Sequence, residues 1–340
     1  MWLDRERTVA GPGYKRWLIP PAALAVHLSI GQVYAFSVFK EPLVERFDSS
    51  LTPIGIIFSI AIVMLGLSAA VLGRWVERSG PRKAMATAAL CWSGGFAVGA
   101  AGVAAEQLWL VYLGYGFIGG IGLGIGYISP VSTLIKWYPD RPGLATGLAI
   151  MGFGGGALIA SPLSDTLLGA YADQPADAIA PAFLTLGAIY LVTMLLGAFT
   201  VRVPADDWKP EGFEPAEQAE RALVTTKSVD AVQAVKTPQF WLLWTVLFCN
   251  VTAGIGILEQ AAPMIQDYFP EVTAAAAAGY VGLLALCNMS GRVIWSSTSD
   301  VIGASRSTSA TWGSAPCSTR WWRRPAPARW RGSCCSPASS

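Results

Sequence analysis

The chain has 340 residues, of which 53% are apolar and only 14% charged, with a mean hydropathy of +0.46 and a formal net charge of +2. This excludes a water-soluble globular domain, in which about a quarter of residues are charged. The net charge supports no nucleic-acid reading, because the last 37 residues hold six Arg and no acid, leaving 18 basic against 22 acidic residues before them.

Taken in chain order, runs free of Asp, Glu, Lys and Arg occupy 17–39, 54–72, 84–105, 108–135, 143–164, 178–201, 240–258 and 272–291. Each reaches or nearly reaches the roughly 20 residues that carry a helix across a bilayer core. Peptide groups in lipid have no water to bond, so these runs must be helices, and their lack of strict alternation argues against barrel strands. The prediction is an all-α polytopic membrane protein with eight transmembrane helices. The first run is too long, and lacks a clear small-residue cleavage site, to be a removable signal peptide.

Basic residues collect on alternate loops. Arg5, Arg7, Lys15 and Arg16 precede the first span; Arg74, Arg78, Arg82 and Lys83 follow the second; Lys136 and Arg141 follow the fourth; and Arg202, Lys209, Arg221, Lys227 and Lys236 follow the sixth. The opposite loops carry only Lys40 and Arg46. The positive-inside rule therefore predicts a cytoplasmic N-terminus. Trp17, Trp109, Trp137, Tyr138 and Tyr171 fall near span ends, where amphipathic rings suit the headgroup layer.

The loop after the second span reads Gly73-Arg-Trp-Val-Glu-Arg-Ser-Gly-Pro-Arg-Lys83, with an acid, Glu77, three residues before Gly80. A second copy begins at Ser296, places Asp300 three residues before Gly303, and then lacks the basic end. Between the copies, 202–237 is a polar stretch too charged to enter lipid. A loop motif that recurs after the second helix beyond a linker implies a duplicated six-plus-six plan. The expected units are a six-helix half at 1–201, a cytoplasmic linker at 202–237, the first two helices of a second half at 238–303, and an aberrant, disordered tail at 304–340. That tail contains no Leu, Ile, Val, Phe or Met. Its composition suits GC-rich codons read out of register, so a frameshift near Gly303 is the expected cause, with a natural low-complexity tail as the alternative.

The loop at 73–83 resembles the signature loop of the major facilitator superfamily. Three further stretches resemble its oxalate/formate antiporter family. They are Gly31-Gln-Val-Tyr-Ala-Phe-Ser-Val-Phe39; Lys136-Trp-Tyr-Pro-Asp-Arg-Pro-Gly-Leu-Ala-Thr-Gly147 running into Met151-Gly-Phe-Gly-Gly-Gly-Ala157; and Asn288-Met-Ser-Gly-Arg-Val-Ile-Trp295 with Ser299 and Asp300. Two residues depart from the pattern, Pro142 where a basic residue is usual and Ser296 where the second loop usually opens with Gly. The resemblance implies the major facilitator fold, alternating access, and a small mono- or dicarboxylate substrate such as oxalate, formate or lactate, carried by antiport or proton symport in the inner membrane.

A carboxylate in a low-dielectric cavity needs a fixed positive charge and hydrogen-bond donors. Arg292 is the one guanidinium within a span, eight residues before Asp300 and so about 12 Å along the helix. The resemblance implies that it binds the carboxylate, its planar fork suiting two oxygens. Snorkelling to the interface or a structural ion pair are the alternatives. Gln32 and Tyr34 are the next candidates, Gln32 ahead of Tyr34, and Tyr127 follows. Two residues apart, Gln32 and Tyr34 lie on different faces of an ideal helix, so both reach one cavity only if the span is exposed over a wide arc. His27, the single histidine, reads as an uncharged, hydrogen-bonded imidazole, although its pKa near neutrality suits proton coupling.

For the loops, the resemblance implies a cytoplasmic latch. Gly73, Glu77, Arg78, Gly80, Arg82 and Lys83 form one copy, and Asp300 and Gly303 belong to the other. The acid at Glu77 would work with the end of an eleventh helix, so in this chain Glu77 is expected to lack its partner and Asp300 the basic half of its loop. Glycines crowd the fourth and fifth spans, as close helix packing in lipid requires. The run Gly114-Tyr-Gly-Phe-Ile-Gly119 matches a dinucleotide fingerprint only by accident, since it lies within a span. No cysteine framework, zinc spacing or catalytic set is readable, and no cofactor or enzyme activity is expected. The partners expected are a small organic anion and the lipid bilayer, with no nucleic acid. A chain ending in this way is expected to expose an unpartnered face and not to transport; the rival readings are a non-transporting sensor or regulatory truncated partner and, more distantly, a membrane-embedded enzyme.

Overall fold

The computed structural model describes residues 4–171, 174–205, 208–210 and 231–302. Gly303 and the expected tail at 304–340 lie outside the described residues, as does most of the linker. Among the described residues eight helices are long and apolar enough to cross a membrane: α1 (Arg16–Arg46), α2 (Leu51–Ser79), α3 (Pro81–Ala104), α4 (Leu108–Trp137), α5 (Pro142–Tyr171), α6 (Pro175–Thr200), α7 (Pro238–Tyr268) and α8 (Ala274–Ile302). Most run past their charge-free stretch. Helix α2, for example, continues through Arg74, Glu77 and Arg78 to Ser79, because helical backbone bonding persists at depths where charged side chains already reach water.

Two spans depart from uniform α-helix. Helix α1 is α-helical over Ile19–Ile30, 3₁₀ over Gly31–Phe39, and α-helical again over Lys40–Arg46. The 3₁₀ stretch coincides with the sequence Gly31 to Phe39 singled out above. Helix α4 holds a π-helical turn at Tyr112–Ile118. Short 3₁₀ and π segments inside long helices recur at functional sites.

Helix α1 is the most enclosed span and α7 the least. Small residues bring backbones together: a Cβ on Gly156 of α5 would stand 2.5 Å from the Gly31 Cα of α1, and one on Gly122 of α4 would stand 2.6 Å from the Trp92 amide of α3. The aromatic core of the first six helices follows, with Phe96 packed edge-on to Trp92 at 4.9 Å, to Tyr115 at 5.3 Å and to Phe183 at 5.4 Å. Helix α8 lies along α5, and α7 meets α8 and the 3₁₀ part of α1. Every residue from Trp241 to Asn250 on α7 is exposed, a face of Trp, Leu, Val and Phe suited to lipid rather than water.

One end of the bundle is closed by polar contacts. The N-terminal segment pairs with the start of the linker through Ala10 N to Val203 O at 2.8 Å and Val203 N to Thr8 O at 2.9 Å. The Trp137 indole donates to the Arg202 carbonyl at 2.9 Å. Arg16 grips Asp140 in a two-pronged contact of 2.7 and 3.1 Å and lies 4.7 Å from the centre of the Tyr138 ring. Burial pushes the Tyr138 phenol up to about 12, against the opposing pull of Arg16.

Candidate functional site

Arg292 sits nearly three turns from the end of α8 and lines a cavity of about 300 Å³ with Tyr34 of α1, Asn250, Gly254 and Leu258 of α7, and Asn288 of α8. Its guanidinium is held at two points: Nε donates to Asn288 Oδ1 at 2.7 Å, one helical turn back, and Nη1 donates to the Ile150 carbonyl of α5 at 3.4 Å. The glycine run on α5 makes room for it, since a Cβ on Gly154 would lie 2.9 Å from Arg292 Nε and 3.0 Å from Asn288 Oδ1. No carboxylate among the described residues lies within ion-pairing distance of Arg292. A guanidinium fixed by neutral partners beside a cavity presents its remaining N–H groups to an anion.

The four candidate residues divide. Tyr34 shares the cavity with Arg292 and rests edge-on against Phe153 at 4.9 Å. Gln32 faces the other way, into the core of the first six helices, where its Oε1 accepts from the Tyr115 hydroxyl at 3.1 Å and its Nε2 has no partner among the described residues. In the 3₁₀ turn each residue advances 120°, so Gln32 and Tyr34 point to separate faces, and Tyr34 rather than Gln32 faces Arg292. Tyr127 stands on the far side of Phe153, at 5.1 Å, and lines a second cavity of about 440 Å³ with Glu77, Ser132 and Lys136.

The loop acids have partners from within the described helices. Glu77 pairs within the first six helices: Lys136 Nζ donates to Oε2 at 2.6 Å and the Ser132 hydroxyl donates to Oε1. Helices α2 and α4 run side by side, which brings the last turn of each to the same depth. The two carboxylate oxygens of Asp300 accept from the Gly143 and Leu144 amides, both at 2.8 Å. Those amides open α5 and have no intrahelical acceptor, and the helix dipole favours an anion there. Gly73 is half-buried, Arg78 and Lys83 are exposed, and Arg82 is buried with Nη2 donating to the Phe199 carbonyl at 3.4 Å. Gly80 takes φ +83° to turn α2 into α3, a conformation that suits glycine.

Two contacts were not visible in the sequence. Lys40, with its side chain fully buried near the far end of α1, donates to Glu259 of α7 at 3.0 Å. Glu259 lies just past the charge-free run at 240–258, within the longer helix α7. His27 is fully buried with Nδ1 against the Ala149 carbonyl and Nε2 3.0 Å from the Tyr127 carbonyl. Both ring nitrogens thus face acceptors from different helices.

The family model described as Major Facilitator Superfamily matches residues 22–318. Among curated relatives, the uncharacterized MFS-type transporter YhjX of Escherichia coli (strain K12) is 24% identical over 292 residues, which is 86% of this chain and 68% of the relative. The oxalate:formate antiporter of Oxalobacter formigenes is 27% identical over 302 residues, 88% of this chain and 66% of the relative. Monocarboxylate transporter 11 of Homo sapiens is 30% identical over 192 residues, 56% of this chain and 39% of the relative. The chain thus spans about two thirds of the length of the first two and under half of the third.

Proposed function

The chain belongs to the major facilitator superfamily, and from that premise we propose that it binds small carboxylates of the oxalate, formate or lactate kind, the substrate class of a secondary transporter. The observation that carries this reading is Arg292, held by Asn288 and Ile150 with its free edge toward a cavity that Tyr34 shares. A planar cation fixed by neutral groups suits a carboxylate, and Tyr34 supplies a hydroxyl beside it. The relatives that carry oxalate, formate or monocarboxylates in their names support the same substrate class.

In this reading Arg292 and Tyr34 bind the anion, Tyr127 lies on the path toward the Glu77 end, and Gln32 fixes the packing behind the site. Residues 1–201 act as one half, 202–237 as the linker, and 238–303 as the opening of the second half. The contact of Asp300 with the start of α5 and that of Lys40 with Glu259 join the second half to the first at opposite ends, the places where alternating access needs contacts that break in turn. Antiport or proton symport would drive the cycle. The distribution of basic residues supports an inner-membrane location with the N-terminus in the cytoplasm.

Thermal unfolding of the purified chain in detergent tests the substrate class. Oxalate, formate and lactate should raise the midpoint in a saturable way, while uncharged analogues such as ethylene glycol should not. Equal shifts from the uncharged analogues, or none from any carboxylate, would overturn the reading.

A further inference from the structure

Helix α5 presents two consecutive carbonyls to two cations or potential cations on other helices. Ala149 O faces His27 Nδ1 of α1, and Ile150 O takes Arg292 Nη1 of α8. Two glycines on the next turn seat the same pair: a Cβ on Gly152 would stand 2.9 Å from the His27 Cβ, and one on Gly154 would stand 2.9 Å from Arg292 Nε. His27 and Arg292 are therefore neighbours on one turn of α5, although 265 positions separate them in the sequence.

The second nitrogen of His27 decides what this arrangement does. A neutral imidazole carries one N–H and one lone pair. Here both nitrogens face carbonyl oxygens, Ala149 O and Tyr127 O, so in the neutral form a ring lone pair opposes a carbonyl lone pair in a site closed to water. Only the doubly protonated ring donates to both. Yet a second positive charge beside Arg292 inside the bilayer is costly unless an anion accompanies it. The other titratable or charged groups near the ring are few. Helix α4 supplies Tyr127, whose ring stacks on the imidazole at 5.5 Å, and helix α1 itself supplies Tyr34, which reaches Tyr127 through Phe153. Helix α6, which also packs on α1, has no charged residue between Ala178 and Val201. Asp165 of α5 lies 13 residues beyond Gly152, about 20 Å along the helix.

We propose that His27 is a proton-binding site, neutral while the cavity is empty and protonated when a carboxylate occupies Arg292. This rests on the carboxylate reading above and gives it a coupling: binding takes up one proton from the aqueous phase, which adds to the free imidazole nitrogen. The bound anion offsets the added charge, and the second carbonyl gains its donor. By linkage, the proton tightens carboxylate binding as much as the carboxylate tightens the proton.

Because the chain holds a single histidine, ring-¹⁵N-histidine labelling gives the signals of one residue. In liposomes at about pH 6.5, the ordinary histidine pKa, the apo protein should show one protonated and one unprotonated nitrogen, and saturating oxalate should convert both to N–H. Calorimetry in two buffers of different ionisation enthalpy should read about one proton taken up per oxalate. Its Kd should weaken about tenfold per pH unit between the titration of the apo protein and that of the complex in the wild type, level off above the latter, and stay flat in His27→Gln. Oxalate binding with no change at the ring and no proton uptake would overturn the coupling while leaving the carboxylate site standing. Absence of any carboxylate binding would remove both. The wild-type spectrum decides even where His27→Gln does not fold.

Discussion

Lys40 Nζ and Glu259 Oε1 lie 3.0 Å apart, joining the first helix of one half to the first helix of the other. The lysine is fully enclosed and the glutamate is mostly so, with 19% of its side chain exposed. A charge so placed is tolerated because its counter-charge is in reach, and removing either member leaves the other uncompensated. Glu259→Gln should therefore lower stability by about 3 kcal/mol, the usual cost of breaking a buried pair. The charge-reversed double variant Lys40→Glu with Glu259→Lys should recover part of that loss. Denaturant unfolding of the wild type, Lys40→Glu, Glu259→Lys and the double variant as a cycle checks it, and additive losses would show that the two side chains do not interact.

At the opposite end, Asp300 caps α5 through Gly143 and Leu144. Asp300→Ala removes both acceptors and the charge at the positive end of the helix dipole. It should cost about 1 kcal/mol, with Asp300→Asn intermediate. Hydrogen exchange at the Gly143 and Leu144 amides gives a local readout, faster in Asp300→Ala than in the wild type. Unchanged exchange would mean that the capping contact is not formed in solution.

Tyr138 offers a pH test outside the membrane spans. Burial raises its phenol from 10 to about 12, so the folded state holds the proton more tightly than the unfolded one. The stabilisation is fully present below pH 10 and is lost as the pH rises toward 12. In Tyr138→Phe this loss should vanish, with little change at neutral pH because the hydroxyl has no partner among the described residues. Comparing unfolding midpoints of the two proteins between about pH 9 and 12 checks the sign; parallel curves would contradict it.

Gly154 is the residue that lets Arg292 reach its place. Ala there puts a methyl 2.9 Å from Nε and 3.0 Å from Asn288 Oδ1, and the flexible arginine will yield before the backbone does. Carboxylate affinity should fall by about tenfold, a loss of roughly 1.4 kcal/mol, with the unfolding midpoint little changed. Gly156→Ala should do the reverse, since its methyl meets the α1 backbone at Gly31, and should cost about 1–3 kcal/mol of stability. Binding and unfolding measured on both variants separate the two roles.

The eight spans were legible because a bilayer imposes a length and a composition that one run of sequence satisfies alone. Their ends were not, since Glu77 and Arg78 belong to α2 although they are charged. As a candidate, Arg292 stood out in the sequence as a lone cation in an apolar run. Its neighbours were not, because each depends on a crossing of helices distant in sequence: Asn288 is local, but Ile150 and Tyr34 come from α5 and α1. Separate faces for Gln32 and Tyr34 were predicted, and which one meets the cavity was set by the 3₁₀ turn and the position of α8. The partners of Glu77, Lys40 and His27 were hidden for the same reason, being 59, 219 and 122 positions away for Lys136, Glu259 and Ala149.

Calorimetric titration of oxalate into the wild type, Arg292→Lys and Arg292→Gln tests the central claim most directly. The account predicts saturable binding by the wild type, about tenfold weaker binding by Arg292→Lys, which keeps the charge but loses the fork, and about hundredfold or greater weakening by Arg292→Gln. Binding by Arg292→Gln equal to that of the wild type, with all three proteins folded, would contradict it.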